Sequence, residues 1–294
     1  MPARTHMTSN LRNIVLLLAL AACWGSNYAL IKLALTGMPP ATMTLGRIAL
    51  AAAVLVLVMR AQKHEWPREP KAWLGMAGVG VFGNALPYFL ISSAEEQVSS
   101  ALAAILITTT PLLTMLAAHW AFADERLTPR RLIGVVVGFV GVVVLVGPEA
   151  LSGLGADLFA QTLLIGAACC FAISIVVARM MPPIPTATSS AGALLIGTVL
   201  VFPAAVGDGL DVDPTWTAIA ACAALGLVST AAATLIYMHL AKAVGANFVA
   251  SANYIAPLIA TGLGIVLLAE RPGWPALAAL ALILFGTWIA NARR

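Results

Sequence analysis

An all-α polytopic membrane protein, with ten transmembrane helices arranged as two inverted five-helix repeats, is the fold class that the sequence predicts. Three observations predict it. Of the 294 residues, 61% are hydrophobic and 10% charged, against about 45–50% apolar and about 25% charged in soluble domains. Ten apolar runs of membrane-crossing length follow one another, and the chain aligns with itself at a shift of 146 residues. A water-soluble domain is excluded, and at about 20 residues per crossing ten crossings leave no room for a separate soluble one.

The elements follow in order from charge, Pro and Gly punctuation. Residues 1–12 form a cytoplasmic N-terminal tail, and the first span covers 13–35. Its Leu20-Ala21-Ala22-Cys23 also fits a lipoprotein signal cleaved before Cys23, but the apolar run continues to Leu35, as a first transmembrane helix would. The second span, 41–59, opens after Pro39-Pro40 and stops at Arg60; the third, 72–93, runs from Lys71 to Glu95-Glu96. Only Ala94 to Gln97 divides it from the fourth, 98–122, which ends at Asp124-Glu125-Arg126; the fifth, 131–147, follows Arg130-Arg131. A connecting loop, 148–158, leads to a second set at 159–180, 187–206, 216–240, 247–269 and 274–291, then to a tail at 292–294. The two repeats are therefore 13–147 and 159–291.

Charge sets the orientation. With the amino terminus inside, thirteen of the sixteen Lys and Arg fall in cytoplasmic segments, so both termini read as cytoplasmic. The outer loops are acidic, with Glu95, Glu96, Glu149, Asp157, Asp208, Asp211, Asp213 and Glu270. The other cations, Lys32, Arg47 and Arg271, fall at or near outer helix ends. Lys32 and Arg47 are expected to snorkel to the headgroups; the functional alternative is attraction of a carboxylate at the outer mouth. The basic residues are dispersed as topology signals, which gives nucleic-acid binding no support. The four cysteines sit in apolar stretches without CxxC or Cys/His spacing, so no disulfide and no metal are expected.

At the 146-residue shift Pro111 falls on Pro257, Gly80 on Gly226 and Val98 on Val244. Five spans are an odd number, so the second repeat enters from the opposite side, a design that recurs in secondary transporters; duplication for a purely structural role is the alternative. Trp24-Gly25-Ser26-Asn27-Tyr28, Pro111 with Asp124-Glu125-Arg126 and Leu132-Ile133-Gly134-Val135, and Pro257 with Ala269-Glu270-Arg271 resemble the EamA repeat. Two such repeats resemble the drug/metabolite transporter superfamily over nearly the whole chain, and within it the YddG-type exporters of aromatic and other amino acids. The resemblance implies a basket in which spans one to four and six to nine surround a central cavity, with spans five and ten outside. Gly134 and Gly138, a GxxxG pair in the fifth span, suit close helix packing.

Transporter sites lie near the midplane at the repeat interface, where polar groups concentrate here. The candidate substrate-binding residues are Trp24, Asn27, Asn84, Tyr88, Thr110, Thr230, Tyr237, Ser251, Asn253 and Tyr254, several spaced three or four apart on one helix face. An amide left in lipid without a partner costs several kcal/mol, so Asn27 and Asn84 must face protein or water. The alternative is that these groups simply bond neighbouring helices, with Tyr28 and Tyr237 as interface anchors or packing. Pro111 and Pro257 free carbonyls near Ile107 and Asn253; they are candidate hinges, or passive kinks. His119 and His239 are either helix-to-helix hydrogen bonds or proton-coupling groups. No acidic residue lies in the middle of a span, which argues against a carboxylate-based cation antiporter.

HExxH, GxGD, GxSxG and GxxxxGK[ST] motifs are lacking, so no catalytic residues and no cofactor are expected. The expected function is a monomeric carrier in the bacterial inner membrane, its partners the lipid bilayer and its amino-acid substrates, exporting aromatic ones among others. The alternatives are an exporter of another small neutral metabolite or drug, a channel, or a membrane-embedded enzyme.

Overall fold

The computed structural model describes residues 2–124, 127–146, 156–208, 214–249 and 251–291, and it is helical with short connections over them. Glu125, Arg126, Glu149, Asp211, Asp213, most of the 148–158 loop and the 292–294 tail lie outside the described residues. The helices are α1 (Pro2–Ala34), α2 (Pro40–Ala61), α3 (Pro70–Glu95), α4 (Ser100–Ala121) and α5 (Pro129–Val146). They continue as α6 (Ala156–Met180), α7 (Thr186–Gly207), α8 (Trp216–Val244), α9 (Ala252–Leu268) and α10 (Trp274–Asn291), with a one-turn helix, Ala246–Val249, ahead of α9.

Local chemistry fixes the ends. Pro40 and Pro70 open α2 and α3, where a missing N–H costs nothing. The Ser99 and Thr215 hydroxyls accept from Leu102 N and Ala218 N at 3.2 Å each, as N-caps do. Gly245 (φ 88°) separates α8 from the one-turn helix, and Ala269 (φ 54°) stops α9 in the left-handed region. Among the described residues, seven helices are long and apolar enough to cross a membrane: α1 from Leu11, α2, α3, α4, α6 from Leu158, α7 and α8. The apolar segments Ala252–Leu268 and Trp274–Ala290 are shorter.

The packing follows a pattern that survives exchange of the two halves. α2 packs on α7, α5 on α10, α1 on α9, and α4 on α6; α3 lies against α6 and α7, as α8 lies against α1 and α2. In the α5–α10 pair, Gly134 and Gly138 face Gly286, and a Cβ on Gly286 would lie 2.6 Å from the Gly138 nitrogen. One apolar core joins Ile31, Met43, Ile91, Leu106, Leu164 and Leu225, and a second joins Ile48, Leu55, Met59, Leu194 and Val201. Outward faces carry exposed Leu57, Leu74, Val143, Val199 and Val266, a surface that suits lipid and not water.

Candidate functional site

Two breaks in helical regularity organise the interior. α3 widens to a π-turn at Val81–Ala85 and α8 at Leu225–Ala232, each disturbing the usual i to i−4 bonding. In α3 the Asn84 amide nitrogen donates to the Val79 carbonyl at 3.2 Å; in α8 the Thr230 hydroxyl donates to the Leu225 carbonyl at 2.9 Å. These pairs occupy equivalent positions at the 146-residue shift. Pro87 removes an N–H just beyond the first turn, but its equivalent is Ala233, so proline is not the common cause. Both turns do share close helix contact: a Cβ at Gly80 would lie 2.7 Å from the Ala193 carbonyl of α7, and one at Gly226 2.8 Å from the Arg47 carbonyl of α2.

Against the second π-turn lies a buried cation. Arg47 is seven residues beyond Pro40, about 10 Å along the helix at 1.5 Å per residue, and only 3% exposed. Its Nε donates to the Thr230 hydroxyl at 2.9 Å, and its guanidinium carbon stands 3.7 Å from the Tyr88 ring centroid. Tyr88 meets Phe171 of α6 edge-on, at 6.1 Å and 65°. A desolvated cation–π contact is worth about 2 kcal/mol, and a hydrogen bond from a charged group about 1.5–3 kcal/mol. The expectation that Arg47 snorkels to the headgroups is therefore wrong. The close α2–α8 approach and an acceptor and a ring from two other helices hold its side chain inside.

Two further expectations change at the end of the bundle formed by the C-terminus of α3. Lys32 does not reach for headgroups either: its Nζ donates to the backbone carbonyl of Glu95. Glu95 is no loop acid, being 0% exposed with neither carboxylate oxygen hydrogen-bonded. Beside it, the Glu270 carboxylate accepts from Ser100 N at 2.7 Å, Ala101 N at 3.1 Å and the Ser100 hydroxyl at 3.0 Å. It satisfies the free N–H groups at the start of α4 and complements the helix dipole. On α6, Arg179 pairs with Asp124 at 2.6 Å, but there the side chains are 44% and 69% exposed.

The structure brings some candidate residues together and separates others. Trp24 of α1 and Tyr237 of α8 lie 6.3 Å apart, and Tyr88 and Thr230 meet through Arg47. Asn27 is buried, and its Oδ1 has no hydrogen-bond partner. Thr110 bonds the Ile107 carbonyl at 2.7 Å, so the carbonyl that Pro111 frees already holds a hydroxyl. α4 is interrupted at Thr108 and Thr109, with Pro111 in the first turn beyond, whereas Pro257 lies within α9. Ser251 and Tyr254 are half-buried, while Asn253 and His239 are exposed. His119 accepts from Leu127 N through Nδ1 at 3.2 Å and so secures the turn after α4. Phe171 was not singled out from the sequence, since nothing in its own span marks it; it is found only through Tyr88. Among the described residues, no three His, Cys, Asp or Glu side chains converge on a metal-sized site.

Two halves packed alike, apolar outside and charged within, define a polytopic membrane protein. The chain belongs to the EamA-like transporter family, which matches residues 11–147 and 158–292. It is 28% identical over 273 residues to the "Uncharacterized inner membrane transporter YedA" of Escherichia coli (strain K12), covering 92% of this chain and 87% of that protein. An "Uncharacterized transporter" of Archaeoglobus fulgidus is 22% identical over 92% of this chain and 95% of its own length. A crystal structure of another protein superposes with a TM-score of 0.68 at 23% identity, covering 95% of this chain and 97% of that one, and so shares the fold.

Proposed function

We propose that this transporter is a monomeric inner-membrane carrier that exports amino acids, Phe, Tyr and Trp among them, by alternating access. One observation carries the reading: two aromatic pairs, Trp24 with Tyr237 and Tyr88 with Phe171, each draw one ring from either half of the chain. A substrate held between them touches both halves, and their relative movement exposes it to one side and then the other. α5, α9 and α10 complete ten crossings with both termini cytoplasmic; the 18 residues of α5 span about 27 Å at 1.5 Å per residue, close to the hydrocarbon thickness. The lining is Trp24, Asn27, Asn84, Tyr88, Thr110, Thr230, Tyr237, Ser251, Asn253 and Tyr254, with Pro111 and Pro257 as hinges. Export runs down the outward gradient and needs no coupling at His119 or His239. The inner-membrane placement is supported by the name of the Escherichia coli relative.

Counterflow tests this. Labelled phenylalanine should enter proteoliposomes saturably, and faster when unlabelled phenylalanine is inside. Uptake no greater than in empty liposomes would overturn the aromatic amino-acid assignment; non-saturating uptake without trans-stimulation would replace a carrier with a channel.

A further inference from the structure

We propose that Arg47 is the anchor for a carboxylate on the transported molecule, held at the junction of α2, α3 and α8. The inference rests on the carrier reading above and specifies its ligand chemistry.

Accounting for donors leads to it. A guanidinium has five N–H donors and no acceptor. The Nε–H is taken by Thr230 and the ring of Tyr88 covers the face, while the four terminal N–H groups have no hydrogen-bond acceptor among the described residues. Nor does any described carboxylate stand within 4.0 Å of Arg47. Glu95, buried though it is, is not hydrogen-bonded to it. A buried charge with no carboxylate in contact is destabilising, and more so inside a membrane; the buried acid Glu95 acts on Arg47 electrostatically without touching it. The two contacts that are made orient the planar group and leave its outer edge free, which is the edge that grips a carboxylate through two parallel bonds.

The scaffold does not need this cation. The residue equivalent to Arg47 in the other half is Ala193, which packs on Gly80 as Arg47 packs on Gly226. Arg47 is thus an addition to a backbone arrangement that forms without it. Two more buried polar atoms lack hydrogen-bond partners, Asn27 Oδ1 on α1 and Ser229 Oγ on α8, the latter next in sequence to Thr230. Both accept hydrogen bonds, as an ammonium group requires. One fixed positive charge with an aromatic pair beside it matches a monoanionic carboxylate on an apolar or aromatic body, zwitterions included, better than a phosphate dianion.

The test is binding, read as the rise in unfolding temperature of the purified full-length protein in detergent. The probes are phenylalanine, 3-phenylpropionate, phenylalaninamide and phenethylamine. The two carboxylates should stabilise the wild-type protein and the two compounds lacking one should not. Arg47→Gln should abolish that preference, and Arg47→Lys should keep it with apparent affinity lowered at least about tenfold, about 1.4 kcal/mol. Equal stabilisation by acid and amide in the wild type, no preference for the carboxylates, or a preference that survives Arg47→Gln would each overturn the proposal. If Arg47→Gln fails to fold, Arg47→Lys carries the test, and a carboxylate affinity unchanged by Arg47→Lys overturns the proposal. Failure of phenylalanine counterflow alongside an intact, Arg47-dependent carboxylate preference would sink the phenylalanine assignment and leave the anchor standing.

Discussion

The π-turn of α3 against α7 and the π-turn of α8 against α2 share their backbone construction. In each, a glycine (Gly80, Gly226) lets a carbonyl of the neighbouring helix approach, and a polar side chain (Asn84, Thr230) bonds the carbonyl five residues back. They differ in what the neighbour and the next turn present. α2 brings Arg47 where α7 has Ala193, and Tyr88 stands where the other half has Thr234. The shared features set helix spacing and recur because spacing must be matched in both halves; the unshared ones set chemistry and collect at one junction. A polar residue present in both halves is therefore weak evidence for binding, and a buried cation present in one, with donors left over as at Arg47, is stronger evidence.

The comparison breaks most visibly at the glycines. Gly80→Val and Gly226→Val each push a branched side chain into a backbone carbonyl, which cannot rotate away. Each should cost stability at the upper end of the about 1–3 kcal/mol typical of overpacking, with similar loss of unfolding temperature for both. A clear inequality between them would show that the two turns are not structurally equivalent.

A smaller and unequal pair sharpens it. Thr230→Val removes the bond to Leu225 and the acceptor of Arg47, so about 1.5–3 kcal/mol is expected for the charged bond. Asn84→Leu removes one neutral bond, at about 0.5–1.5 kcal/mol. Chemical denaturation of both variants should show the larger loss at Thr230; equal losses would mean that the Arg47 contact contributes little. An effect of similar size to that at Asn84 is expected at Tyr88. Phenylalanine keeps the ring face and leucine removes it, so Tyr88→Leu should be less stable than Tyr88→Phe by about 0.5–2 kcal/mol, and no difference would remove the cation–π contact from the account.

The helices were legible because hydropathy and Pro, Gly and charge punctuation act locally; each of the ten apolar runs coincides with a helix, counting α9 with the one-turn segment before it. Part of the interior was legible too, since Trp24, Asn84, Tyr88 and Thr230 were singled out by depth and spacing. What each does was not. Asn84 and Thr110 bond their own helices, and that depends on where a π-turn or a proline frees a carbonyl. Arg47, Lys32 and Glu95 were misread for a single reason. A charge near the end of an apolar run has the same hydropathy whether its side chain turns to the headgroups or to the bundle, and helix rotation, set by packing partners far away in sequence, decides between them.

By itself, then, the sequence determined the environment, the helices, the repeat and the family, because apolar content, run length and the 146-residue shift are properties of the chain alone. Only the tertiary structure decided which charges are inside. Arg47, Thr230, Tyr88 and Phe171 come from α2, α8, α3 and α6, and no local pattern records that four separate helices turn those side chains toward one another.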